Sequence, residues 1–490
     1  RFTMATTAAL DTFRRVYADP SAIGSTTADD DRRAAYGLLW AYHNNSAFED
    51  VAKWQAYRSR HSLYRGTRPI YNPARRLVDF YVGTVYQGAW TLRPERMTEP
   101  GTAIPFEEGT PPALLAAIAQ AWQWSNWQSQ KAIMIRYAAA VGDALSVVVD
   151  QPEHGRVYLD TIWPGHVAEI DTDARGNVAG YVLEYDTVDP ETGKAYTYRR
   201  EVDRARIAEY RDDRQTSETP NPYGFVPAAW VQHSPTASPH GDPALRNVAK
   251  IDEVCAFAAH AVDQAHRIMS APILVAGSGI DLSPGTPPTA RTATTTTQAR
   301  GDAAQKIDII TGGDGASIDT IQFDTGDAIA HIEHMIAEIE RDHPEITLYS
   351  QLRAMSQVTG PGAARLFGDV EAHVDAARAQ YDQATIKLCQ MATAIGGWRL
   401  ATGAWGSPSR QQSAFSGYDL GSYAAGDLDI TIQSRPLIPL TEEERISIER
   451  QRIGLDADRA YTLAATGGGK IDTPAGIAAR IQAAAEGARA

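Results

Sequence analysis

The apolar positions of this chain change period several times. Residues 71–90, YNPARRLVDFYVGTVYQGAW, open on Asn72-Pro73 and then set Leu77, Val78, Tyr81, Val82 and Val85 at three- and four-residue steps. Proline at a first turn and this spacing predict a helix with one buried face, stopping at Gly88. A second helical stretch runs through PPALLAAIAQAWQWSNWQSQKAIMIRYAAAVG. Its tryptophans Trp122, Trp124 and Trp127 need a broad packing surface, so they are expected in the core or at subunit contacts and not in a ligand cage. From Asp143 the period falls to two. ALSVVVD, RVYLDTIWPGHVAEIDTDARGNVAGYVLEYDT and AYTYRREVDRARIAEYRDD read as consecutive strands of one half-exposed antiparallel sheet of about five strands. Turns are expected at Asp173–Asn177 and Asp189–Gly193.

The helical period returns after Asp242-Pro243. Leu245, Val248, Ile251, Cys255, Ala258, Val262, His266 and Met269 form one stripe of a long amphipathic helix that closes at Pro272. Residues 277–305, rich in Thr, Pro, Gly and Ala, bury little apolar surface and read as a mobile loop. Short strands flank it at PILVAG, KIDIITGG and SIDTIQF. TGDAIAHIEHMIAEIERDHP is a second helix, capped by Thr325 or Asp327 and ended by Pro344. Past the polar, Gly-interrupted stretch 345–362, Leu366, Val370, Val374, Ala377, Tyr381, Ala384, Leu388 and Met391 span 25 residues in seven steps. That is the α-helical period, and it predicts a helix of roughly 40–50 Å that needs a neighbour along its whole length. A further strand is expected in GDLDITIQSRPLIP. A helical tail follows, opened by a capping box of Thr441 and Glu444.

Composition narrows the chemistry. At 490 residues the chain exceeds a single core, so roughly two to four domains or subdomains are expected. The net charge of −14 argues against broad, tight nucleic-acid binding, which needs a basic stripe. No stretch reads as membrane-spanning, because the apolar run around Ile133–Val149 is broken by Arg136, Gly142 and Asp143. The start lacks the pattern of a secretion signal, and RFT before Met4 reads as an upstream extension. Cys255 and Cys389 lie in helical patterns and read as core residues of a reduced protein. His331 and His334, three apart without an HExxH pattern, read as surface residues and not as a metal site. ATGGGKID at 465–472 approaches the spacing of a phosphate-binding loop, but Ile471 replaces the Ser or Thr that would hold magnesium. It reads as an interhelical turn.

The order of these elements resembles the portal proteins of tailed bacteriophages over about residues 30 to 465. The resemblance is carried by YNPARRLVDFYVGTVYQG, IWPGHVAEIDTDARGNVAGYVLEY, NPYGFVPAAWVQ, PILVAG, SQVTGPGAARLFGDVEAHVDAARAQYDQA and SRPLIPLTEEERISIERQRIG, taken in that order. It implies an α+β portal fold: an α/β wing, a two-helix stem, a small α/β clip, one very long helix and a helical crown. The wing would take residues 1–242, the stem helices 243–271 and 326–344, and the clip 272–325. The tunnel loop would take 345–362, the long helix and the rest of the wing 363–440, and the crown 441–490. It further implies a homo-oligomeric ring, usually of twelve subunits, at one capsid vertex of the virion, assembled in the host cytoplasm. That ring contacts the major capsid protein, docks the terminase large subunit and later a head-completion (adaptor) protein, and passes double-stranded DNA without reading its sequence.

On that resemblance the docking candidates in the clip are Thr289, Arg291, Thr295 and Arg300. The channel wall would carry Asp327, Glu333, Glu338 and Glu340, and the tunnel loop Gln351, Arg353, Gln357, Gly360 and Gly362. Trp122, Trp124 and Trp127 are candidates for subunit contacts. No cofactor, metal or catalytic residue is expected, since hydrolysis would belong to a docked motor. Two alternatives are another virion scaffold component and a nucleotide hydrolase using Lys470.

Overall fold

The computed structural model describes residues 29–50, 54–56, 71–86, 106, 109–236, 238–245, 248–270, 274–275, 317–318, 326–347, 368–405 and 411–432, which mix helix and sheet. Helix α1 (Asp29–His43) and the short α2 (Ala47–Asp50) bury Tyr36, Leu38, Tyr42 and Phe48. Helix α3 (Ala74–Thr84) begins where the Asn-Pro pair predicts. Asn72 Oδ1 accepts the first free amide, Ala74 N–H, at 3.0 Å, and Leu77, Val78 and Tyr81 share the buried face. The helix ends at Thr84, a turn before Gly88.

The next predicted helix is two. Helices α4 (Pro112–Ser125) and α5 (Trp127–Val141) break at Asn126, whose φ of 50° and ψ of 52° are left-handed. Asparagine tolerates that conformation better than most residues. Both helices bury residues around much of their circumference, so the apolar pattern shows no interruption at the break.

The single sheet expected after Asp143 is also two. Strands β1 (Asp143–Gln151), β2 (Arg156–Ile162) and β8 (Ala228–Gln232) form a three-stranded sheet in the order β2-β1-β8. Strands β3 (Val167–Thr172), β4 (Val178–Val188), β5 (Ala195–Asp203), β6 (Arg206–Arg211) and β7 (Arg214–Pro220) form a separate antiparallel meander. Its predicted turns close as expected: Asp173 N–H donates to Asn177 O at 2.8 Å, and Gly193 N–H to Asp189 O at 2.8 Å.

The small sheet is a middle layer. On one face Ala144, Val148, Leu159, Ala229 and Val231 join the main helical core. On the other, Leu145, Val147, Ala228 and Trp230 pack with Val167, Ile170, Val178, Tyr181, Leu183 and Val202 of the meander. Alternation along β1 therefore separates two apolar environments and not core from solvent, which is why ALSVVV is a near-continuous apolar run.

Helix α6 (Val248–Ser270) starts later than the Asp242-Pro243 opening suggests. Asp242 N–H instead donates to Ser234 O at 2.9 Å, and Ala244 N–H donates to Ala139 O at 2.9 Å. Strands β9 (Leu274–Val275) and β10 (Ser317–Ile318) pair antiparallel. Helix α7 (Gly326–Asp342) ends in a 3₁₀ turn at Pro344–Ile346. The longest helix, α8 (Gly368–Ala401), has 34 residues and so runs about 50 Å. It lies across β1, β2 and β8 and against α4, burying Val374, Tyr381, Leu388 and Ile395 completely. The neighbour it needs is thus largely its own chain. The short α9 (Leu420–Ala425) carries an Asp419–Ser422 capping box. Within the strand expected after it, residues 427–432 are extended coil with one isolated bridge, Phe106 to Ile432. Cys255 and Cys389 are buried.

One carboxylate fastens several of these pieces. Asp143, fully buried at the start of β1, accepts hydrogen bonds from the Tyr36 hydroxyl of α1 and from Gly241 N–H at 2.8 Å, and lies 3.3 Å from His240 Nδ1. Burial pushes its carboxyl up, while the partners His240, Tyr36 and Gly241 pull it back. The preceding Gly142 has φ of +104°, and a Cβ there would sit 2.3 Å from Gly241 O. Gly142→Ala is expected to lower stability by about 2–4 kcal/mol, read as a reduced denaturation midpoint.

Two histidines make stability depend on pH. Burial pushes both His43 and His166 below the ordinary value of 6.5, and His43 Nε2 is buried without a hydrogen-bond partner. The unfolded chain accepts their protons near pH 6.5 and the folded chain does so only at lower pH. The contribution is therefore full above 6.5 and lost as pH falls below it. The melting temperature is expected to drop between about pH 7.5 and pH 5.5, and less steeply in His43→Gln.

Candidate assembly surface

Helices α6 and α7 run antiparallel. Lys250 Nζ meets Asp342 Oδ2 at 2.6 Å near the body of the protein, and further out the Phe257 and His331 rings lie 4.8 Å apart. Burial falls along α6 as it leaves the body. Ile251, Cys255 and Ala259 are 0%, 2% and 4% exposed, yet Val262, seven residues beyond Cys255 on the same stripe, is 36% exposed. Helix α7 repeats the gradient in reverse. Ile329 is 51% exposed, Ile332 and Ile336 are partly buried, and Ile339 is 3% exposed. The apolar stripes thus continue past the point where this chain covers them.

The acidic residues expected to form one wall on α7 occupy two stripes. Glu333 and Glu340, seven residues apart, share one, and Asp327 and Glu338, eleven apart, share the other. His334 and Arg341 lie on the arc between them, and His334 Nε2 is 3.6 Å from Glu338 Oε1. Asp327 and Glu333 are exposed, and Glu338 and Glu340 are half-buried. His331 and His334 are exposed, and among the described residues no cluster of three or more His, Cys, Asp or Glu could hold a metal ion. No helix of the described residues is long and apolar enough to cross a membrane.

Where α7 returns to the body, the 3₁₀ turn buries Glu345. Its Oε1 accepts from the Tyr81 hydroxyl at 2.8 Å and lies 2.8 Å from His373 Nδ1, joining α3, this turn and the first turns of α8. Beside it opens a cleft of about 560 Å³, lined by Asn72, Arg75, Arg76, Asp79, Phe80 and Glu345 among others. The exposed apolar residues and this cleft escaped the sequence reading. The stripe containing Val262 was visible, but periodicity reports which face is apolar and not which chain covers it.

The tryptophans fall in the core. Trp122 and Trp127 are 3% and 2% exposed and stack on each other at 5.6 Å, and Trp122 Nε1 donates to Cys389 Sγ at 3.3 Å. Trp124, half-buried, stacks on Phe415 at 5.5 Å and meets Trp405 edge-on. The expectation of subunit contacts rested on one chain being unable to bury them. Helix α8, with Trp405 and Phe415, does cover them, so that argument falls for Trp122 and Trp127.

The tunnel-loop candidates Gln351, Arg353, Gln357, Gly360 and Gly362 lie outside the described residues. So do Thr289, Arg291, Thr295 and Arg300, the loop around Lys470 and the capping box at Thr441.

Trp122→Ala is expected to cost about 3–5 kcal/mol of chain stability, and Trp124→Ala less, since its ring is only half-buried. Both appear as lowered denaturation midpoints at concentrations where the chain is monomeric.

No protein-family model matches the chain, and a comparison with curated proteins finds no match.

Proposed function

We propose that the chain is a subunit of a closed ring of identical copies, of the portal type, that serves as the conduit for a phage genome at one capsid vertex. The observation that carries this reading is the projecting pair α6 and α7, whose apolar stripes outrun the cover of their own chain, with Val262 at 36% and Ile329 at 51% exposure. Apolar stripes of this kind are usually covered by another chain. A ring of copies with parallel projections covers every stripe in the same way, because each copy supplies what its neighbour lacks.

In this reading α6 and α7 are the stem, 272–325 the clip that docks terminase and then the adaptor, and 345–362 the tunnel loop. The layered body is the wing, facing the major capsid protein, and 441–490 are the crown. The charge supports a conduit. A net charge of −14 and an α7 with two acidic stripes give DNA no continuous basic track, so phosphate contacts that would add drag are few. A portal of this kind is no enzyme and needs no cofactor, since the motor that docks on it performs the hydrolysis.

The purified chain is expected to have a solution mass near twelve times 53.2 kDa and to show closed rings in electron-microscopy averages viewed down the symmetry axis. A monomer or dimer at micromolar concentration would overturn the reading.

A further inference from the structure

The cleft beside α3 combines an anion that lacks a partner with cations that lack anions. Glu345 lines it and is 3% exposed. Its Oε1 is occupied by the Tyr81 hydroxyl and His373, whereas Oε2 is buried without a hydrogen-bond partner. Buried polar atoms are nearly always satisfied, so this oxygen marks a place that a donor from another molecule would fit. Phe80, 5% exposed, gives the cleft an apolar wall.

Arg75 and Arg76 line the same cleft from the first turn of α3, a helix of 11 residues whose start adds positive character. Arg75 reaches Asp79 only loosely, at 3.6 Å with side chains 72% and 51% exposed, and Asp79 is shared with Arg136. Among the described residues Arg76 makes no ion pair. Asn45 adds a polar group at the opening, held by Asn72, whose Nδ2 donates to Asn45 Oδ1 at 2.7 Å.

These charges select among ligands. A simple anion meets the arginines but is repelled by Glu345. A simple cation is drawn to Glu345 but is repelled by two arginines. A molecule with both charges satisfies both ends, and a cleft of about 560 Å³ is of the size that takes small molecules.

We propose that the cleft binds a small amino acid-like zwitterion, whose ammonium or guanidinium group donates to Glu345 Oε2 and whose carboxylate is held by Arg75 and Arg76. Both contacts are charge-assisted, and arginine can bind a carboxylate through two parallel hydrogen bonds. A free amino acid carries this chemistry, and so does the C-terminus of a peptide ending in lysine. The site is formed within one chain and stands or falls apart from the ring reading.

The test is calorimetric titration of the full chain with glycine, γ-aminobutyrate and ε-aminocaproate, in which the two charges move apart, beside caproate and hexylamine, which keep one charge each. At least one zwitterion is expected to bind about tenfold or more tightly than either single-charge compound, the scale of one charge-assisted contact. Arg75→Ala with Arg76→Ala is expected to remove the advantage over hexylamine and to leave the melting curve unchanged, since both side chains are exposed. Glu345→Gln, which keeps an acceptor and loses the charge, is expected to remove the advantage over caproate. Should that variant fail to fold, the ligand series and the arginine variant still decide. Free lysine against an acetylated peptide ending in lysine separates the two sources: tighter binding of the peptide assigns the site to a chain terminus, and tighter binding of lysine to a free amino acid. Caproate or hexylamine binding as tightly as every zwitterion overturns the proposal, as does the absence of binding at about 10 mM.

Discussion

A carboxylate without any solvent, Asp143, sits where β1 leaves α5, and the body of the protein is arranged so that it never lacks partners. The Tyr36 hydroxyl reaches it from α1, Gly241 N–H and His240 from the loop after β8. Removing a carboxylate from water costs several kcal/mol, recovered only when hydrogen bonds satisfy its oxygens. Strand β8, the loop that follows it and helix α1 are therefore held to β1 together. The tight approach of Gly142 to Gly241 belongs to the same joint, with His233 N–H donating to Gly142 O at 2.8 Å.

From that joint the layers follow. Strand β1 turns alternate side chains to the helices and to the meander, so both layers are positioned by one strand. Helix α8 covers the helical face and receives a second polar tie at its end, where Arg399 Nε donates to Asp150 Oδ2 at 2.6 Å. The loop that serves Asp143 continues into α6 through Ala244 and Leu245, both packed on the main core. The direction in which α6 leaves the body is thus set by buried contacts of the body, while further out the Phe257 and His331 rings join α6 to α7.

Much of this was legible in the chain. Helices α3, α6, α7 and the first half of α8 announce themselves by period, since each carries one apolar stripe, whereas Met391–Gly397 of α8 are buried on every side. The meander turns announce themselves by Asp at the start and Asn or Gly at the end. What stayed hidden has physical causes. Asn126 breaks α4 from α5 inside a stretch apolar on nearly every side, where no phase change marks the break. The split into two sheets depends on β8 pairing with β1 across some eighty residues, and strand patterns carry no information about such partners. The tryptophans were recognisable as large packing groups, but their cover comes from Phe415, Trp405 and Cys389, remote in sequence. The acidic wall reads as one feature along the sequence and becomes two stripes once wound at 3.6 residues per turn.

In the ring reading proposed above, assembly of identical copies faces a general obstacle. Each copy carries a net charge of −14, so neighbours repel over the Debye length unless local contacts oppose it. Apolar stripes on α6 and α7 supply attraction, yet that attraction is non-directional and would tolerate several slips along a helix. Paired charges discriminate between such registers, because a slip of one turn exchanges an attractive neighbour for a repulsive one. Arg75 and Arg76 of α3 line the same cleft as the buried Glu345, at the foot of the helix pair, where α7 passes into its 3₁₀ turn.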